Sequence, residues 1–235
     1  MIIIGLTGNL GAGKTTVARM FEKLGAKVLN ADRMAHELIE PNGACFKEVV
    51  RSFGEEILIN GKIDRKKLAR IVFNDSKKLA RLNKIIHPKV IKQISEEISK
   101  ILSFPNALVG NLDKVMTGPP TKTFGGDKVG INPKIPKHRS VAVVVEAALL
   151  IESGLHKFVD EIIVVKANRR LQLERILKQR GISKQEVLKR LKMQIGIQEK
   201  MKFADAVIDN RGNLNQTKKQ VEDIWQRIMQ RNRTN

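Results

Sequence analysis

One stretch near the start of the chain limits its fold more than any other: Gly8-Asn9-Leu10-Gly11-Ala12-Gly13-Lys14-Thr15, preceded by Ile2-Ile3-Ile4-Gly5-Leu6-Thr7. It fits the pattern G-x-x-x-x-G-K-[ST] and stands in the context which that pattern requires. The apolar run before it is short and β-branched, as suits a parallel strand buried on both faces. After it, Val17, Met20, Phe21 and Leu24 recur at the spacing of one buried helical face. The glycines let backbone amides close around an anion, because a Cβ there would block the approach. Lys14 can then reach the β- and γ-phosphates, and the Thr15 hydroxyl can ligate magnesium. The helix that opens at Lys14 turns its positive end to the same charge. Gly8 to Thr15, with Thr16 behind them, are therefore expected to bind a nucleoside triphosphate.

A chain of 235 residues has room for one α/β domain, here 1–235, carrying a smaller helical lobe. No run approaches the ~18 apolar residues needed to cross a bilayer. The first residues enter a strand without a basic leader, and the one cysteine, Cys45, suits a reducing compartment, so a cytoplasmic protein is expected. The 44 Lys and Arg outnumber the 24 Asp and Glu, a formal charge of +20, and such a field draws anions. The basic residues are scattered, Tyr is absent and Trp occurs once, so no base-stacking platform is evident. Neither a membrane nor a specific nucleic-acid partner is expected.

Residues 26–30 read as a second strand ended by Ala31-Asp32. Asp32 would sit where open parallel sheets place their ligand crevice. It can be a general base for a substrate hydroxyl aimed at the γ-phosphate, or the N-cap of the next helix, and the two roles are compatible. Residues 33–102 read as a helical lobe with turns at Pro41-Asn42-Gly43 and Asn60-Gly61. Gly54 is placed to end one helix, and Asp64 to cap another. Asp75 or Ser76 starts a third, expected to stop at His87-Pro88 because proline disfavours helical geometry in the residue before it. A further helix is expected over 89–102. Nucleotide-kinase-type phosphotransferases carry their acceptor here, so His87 can bond that substrate, or it can pack or cap.

Residues 103–140 hold five of the seven prolines and five glycines, and apolar periodicity vanishes. They read as an irregular insertion. A buried strand resumes at 141–145 and ends at Glu146, a carboxylate placed to hold magnesium or its waters. Residues 161–165 form the next strand. The segment 169–200 follows as two Arg-rich helices, the first over 169–180 and the second carrying Arg190 and Gln194. They have the composition of a lid over ATP, though charged surface helices share it. Residues 205–209 give a fifth strand, and a last helix runs through Val221, Ile224, Trp225 and Ile228. The expected fold is an α/β three-layer α/β/α sandwich with five parallel strands.

These residues in this order resemble the dephospho-coenzyme A kinases. The resemblance runs from the phosphate loop through Asn30-Ala31-Asp32, Phe53-Gly54, Gly61-Lys62-Ile63-Asp64-Arg65, Leu68, Phe73 and His87-Pro88. It resumes at Glu146-Ala147-Ala148-Leu149-Leu150-Ile151-Glu152, at Arg190 and Gln194, and at Ala204-Asp205-Ala206-Val207-Ile208-Asp209-Asn210 with Gly212. It implies transfer of the ATP γ-phosphoryl group, with Mg2+, to the ribose 3′-hydroxyl of dephospho-CoA, the last step of coenzyme A synthesis. It implies Asp32 as catalytic base, Arg175, Arg180 and Arg190 as phosphate contacts, and His87 beside the acceptor. Asn30 stands where the family has an acidic residue, and Ala148 where it has proline. The latter change is expected to loosen a turn and remove no reactive group. A kinase of another small acceptor, a GTP-binding switch reading Asp209-Asn210-Arg211-Gly212 as D-x-x-G, and a nucleic-acid-stimulated ATPase are the alternatives.

Overall fold

A computed structural model describes residues 1–102, 142–180, 187–188, 191–192 and 194–234. Its centre is β1 (Ile2–Thr7), in which all six residues are buried. The chain continues through α1 (Lys14–Lys23), β2 (Lys27–Asn30), α2 (Ala31–Glu37) and α3 (Phe46–Phe53). A short 3-10 turn leads into a hairpin of β3 (Leu58–Ile59) and β4 (Lys62–Ile63), then α4 (Arg65–Val72) and α5 (Ser76–Leu102). Beyond lie β5 (Ala142–Glu146), β6 (Glu161–Lys166), α6 (Arg169–Arg180), α7 (Ile197–Met201), β7 (Ala206–Asp209) and α8 (Leu214–Thr234). The expected insertion at 103–140 and the second lid helix around Arg190 lie outside the described residues.

The main sheet runs β2-β5-β1-β6-β7, and all its strands are parallel. Side chains alternate across a strand, so β1 feeds two cores. Ile3 joins Val143, Val145, Ile162 and Val164 under the helical lobe. Ile2, Ile4 and Leu6 join Val144, Ile163, Val165 and Ile208 under α1 and α8. The Phe21 and Trp225 rings close the second layer at 6.1 Å between centroids. Burial on both faces is what makes these strands continuous apolar runs instead of alternating ones.

Local sequence sets most boundaries. Asp64 caps α4 by accepting from the Lys66 and Lys67 amides, and Asp75 does the same for Lys77 and Lys78 at the start of α5. Gly54, at φ 84°, ends α3. Asn60 and Gly61 both take positive φ, the conformation that a two-residue hairpin turn requires, so a small antiparallel sheet sits inside a lobe read as mainly helical.

The break expected at His87-Pro88 is absent: α5 is one helix of 27 residues with Pro88 inside it. Pro88 cannot donate to the carbonyl one turn back, a defect worth about 3 kcal/mol in a helix interior. Burial outweighs it. Ile85, Ile86, Val90, Ile91, Ile94 and Ile98 are all core residues, and α5 packs on α2, α3 and α4. Pro88→Ala is therefore expected to raise stability by about 1–3 kcal/mol, read as a higher urea midpoint at an unchanged m-value.

Candidate active site

The site forms at the carboxyl ends of the parallel strands. Register aligns Leu6 of β1 with Glu146 of β5, and Glu146 with Asn30 of β2, so three chain segments far apart in sequence end side by side. The loop from Gly8 to Lys14 leaves β1 and returns as α1. Gly13 precedes that helix at φ 93°, ψ 23°, and no side chain caps the first turn. The positive end of the helix thus faces the loop with no capping side chain over it, as suits an anion site. Lys14 is buried and curls over the loop, its Nζ donating to the carbonyls of Gly8 at 3.0 Å and Asn9 at 3.4 Å. Behind the loop, the buried Asn210 donates to the Ala12 carbonyl at 2.8 Å and accepts from Thr217 at 3.0 Å. Gln194 accepts the Leu10 N–H at 2.9 Å.

Glu146 is buried and organises the front of the site. One of its oxygens accepts from the Thr15 hydroxyl at 2.7 Å, the other from the Asn30 side-chain amide at 2.9 Å. Asn30 also caps α2, accepting the Arg33 N–H at 2.8 Å. The capping role open to Asp32 therefore falls to Asn30, and Asp32 occupies the first turn with its carboxylate turned to the Ala148 N–H, 3.3 and 3.4 Å from its two oxygens. That donor exists because residue 148 is not proline. Where the resemblance has proline, this chain thus presents an N–H to Asp32.

Beneath this lies Lys200, which is 0% exposed. Its Nζ donates to the Ala148 carbonyl at 2.7 Å and pairs with Glu152 at 2.9 Å. Burial pushes this ammonium below its ordinary value, against the pull of Glu152 and Asp32 toward the charged form. No expectation from sequence included Lys200. The available signal was position: it lies three residues after Ile197 and one before Met201, on the apolar side of a helix too short for a periodicity to emerge.

Arg175 of α6 lies against the loop. A Cβ built on Gly13 would stand 3.3 Å from its Nη1, and that atom is buried with no hydrogen-bond partner among the described residues. The side chain of Arg180 and the whole of Arg190 lie outside the described residues. His87 sits in the middle of α5, partly buried, on the helix that packs against α2. Burial holds its imidazole below the ordinary value.

The donors at Glu146 and Thr15 are hard oxygens beside a phosphate loop. They fit magnesium, which keeps several waters and takes one or two protein ligands plus phosphate oxygens. Among the described residues no cluster of three or more His, Cys, Asp or Glu forms a separate metal cage, and no helix is long and apolar enough to cross a membrane.

A parallel sheet with a phosphate loop between its central strand and first helix, and a carboxylate at the neighbouring strand end bonded to Thr15, defines a P-loop nucleotide-binding fold. Comparison with known proteins narrows the class. A dephospho-CoA kinase family model matches residues 2–110 and 130–216. The dephospho-CoA kinase of Aquifex aeolicus is 39% identical over 226 residues, covering 96% of each chain. That of Carboxydothermus hydrogenoformans is 35% identical, covering 96% of this chain and 93% of its own. Among solved structures, TT1252 from Thermus thermophilus superposes with a TM-score of 0.69 at 29% identity, covering 96% of this chain and 97% of its own. The dephospho-CoA kinase from Campylobacter jejuni gives 0.59 at 27% identity, with 98% of each chain covered. The chain belongs to the dephospho-CoA kinase family, which are ATP-dependent phosphotransferases.

Two outcomes follow from this geometry. Gly13→Ala sets a Cβ against the Asn210 amide at a backbone angle that side chains rarely adopt. ATP affinity should fall by about tenfold or more, the equivalent of ~1.4 kcal/mol, in isothermal titration calorimetry. For His87, the unfolded chain takes up a proton below about pH 6.5 that the folded chain resists. Stability should decline as pH falls from there toward the lower folded-state value, and His87→Gln should flatten that stretch of the stability curve in urea titrations.

Proposed function

We propose that this chain transfers the γ-phosphoryl group of ATP to the ribose 3′-hydroxyl of dephospho-CoA, with Asp32 as the general base. The observation that carries the residue assignment is the position of the Asp32 carboxylate. It stands in the first turn after β2 and faces the N–H of Ala148, two residues beyond the Glu146 that bonds Thr15 of the phosphate loop. Family membership supports the acceptor.

In this reading the loop from Gly8 to Lys14, with Thr15 and Thr16 in the first helical turn, holds the triphosphate, and the Lys14 ammonium swings from the loop carbonyls to the β- and γ-phosphates. Thr15 and Glu146 would hold Mg2+, which when bound neutralises charge on the β- and γ-oxygens. Asp32 orients the acceptor hydroxyl and takes its proton as the oxygen attacks phosphorus in line with the departing ADP. Arg175 offers an unsatisfied N–H beside the loop for charge on the moving phosphoryl group. Arg180 and Arg190 are assigned to the same phosphate contacts, and His87 to the acceptor, whose lobe is 33–102. The segment 169–200 acts as the lid, and the enzyme works in the cytoplasm.

The test is ADP release with dephospho-CoA, adenosine or a nucleoside monophosphate as acceptor. Selective turnover of dephospho-CoA, dependent on Mg2+ and abolished by chelation, is expected. Asp32→Asn should lower kcat by about 10²–10⁴-fold while ATP binding persists. Turnover that prefers adenosine would overturn the acceptor, and a fully active Asp32→Asn would overturn the base.

A further inference from the structure

The apolar side of α7 holds Ile197 and Met201 against the core, and the residue buried between them is Lys200. An apolar residue there would cover the same surface without the cost of removing an ammonium from water. The lysine adds a donor with two defined targets. One is the Ala148 carbonyl at 2.7 Å; the other is Glu152, whose two oxygens lie 2.9 and 3.0 Å from Nζ.

Both targets lead back to the reaction centre. Ala148 is held at each polar end, its carbonyl by Lys200 and its N–H facing the Asp32 oxygens. Glu152 accepts the Ile195 N–H at 3.1 Å, and the adjacent Gln194 accepts the Leu10 N–H of the phosphate loop. A continuous set of polar contacts therefore joins the loop, the end of the lid segment, the Ala148 turn and Asp32. We propose that Lys200 and Glu152 are a positioning pair for the kinase reaction, fixing the Ala148 turn so that the Asp32 carboxylate keeps its aim at the acceptor hydroxyl while the phosphate loop stays in register with it. Lys200 touches no reacting atom; it acts through Ala148. The inference rests on the reading of Asp32 as base.

Kinetics and stability of three variants test it: Lys200→Met, Lys200→Met with Glu152→Gln, and Asp32→Asn. Lys200→Met leaves a carboxylate unpaired, so both stability and kcat should fall. The double variant removes that charge, and its urea midpoint should return close to the parent's, with KM for ATP within about twofold. Its kcat should stay down by about tenfold or more, because a carboxylate displaced by a fraction of an ångström loses its alignment. Recovery of kcat together with the midpoint would mean that the pair serves only stability, and the proposal would fall. If neither Lys200 variant folds, Glu152→Gln decides. It keeps the lysine and an acceptor for Ile195, and kcat should drop about threefold or more at constant KM for ATP; an unchanged kcat overturns the pairing. An active Asp32→Asn would remove the base assignment and this inference together, whereas an inactive Asp32→Asn beside a fully active double variant would remove this inference alone.

Discussion

The parallel register of β2, β5 and β1 is the constraint from which the rest of the molecule follows. It is held by backbone hydrogen bonds and by side chains buried on both faces, each large one worth about 1.5–3 kcal/mol. A slip of one residue would exchange the two cores and turn Glu146 away from Thr15 and Asn30. The structural core and the chemical site are thus specified by the same pairings, and the buried Glu146 is affordable only because two hydrogen-bond donors meet it there.

A second layer of polar structure secures the loops that the sheet delivers. Asn210, just after β7, donates to the Ala12 carbonyl of the phosphate loop, Gln194 accepts that loop's Leu10 N–H, and Lys200 with Glu152 holds the Ala148 carbonyl. Buried ion pairs contribute little net stability against apolar packing, yet losing one partner costs about 3–5 kcal/mol. Such a pair is a device for geometry more than for stability. Its place at the Ala148 turn that faces Asp32 suits the positioning role proposed for it, in a reaction where positioning and electrostatics do most of the work.

The helical lobe shows packing overriding local preference. Pro88 argues for two helices, and α5 is one, because its apolar side has the interior of the lobe to bury. Cys45 lies in the same interior, fully buried, its thiol pushed up first by burial and then by Glu48. Asn30 shows economy of a different kind: a single side chain caps α2 with its oxygen and steadies Glu146 with its nitrogen. An aspartate at this position could cap the helix but could not donate to a carboxylate.

By itself the sequence determined the five strands, the loop with Lys14 and Thr15, the capping aspartates and the family, because each depends on a local pattern: apolar runs, glycine spacing, or a side chain bonding an amide two or three residues away. Asp32 and Glu146 were legible as residues at strand ends for the same reason. Tertiary structure alone decided that Glu146 meets Thr15 across 131 residues, that Arg175 reaches the loop, that Asn30 rather than Asp32 is the cap, and that residue 148 presents an N–H to the carboxylate. It alone revealed Lys200. Contacts between distant segments are set by strand order and register, which no short window of sequence contains, and a charge buried in a five-residue helix leaves no periodic trace.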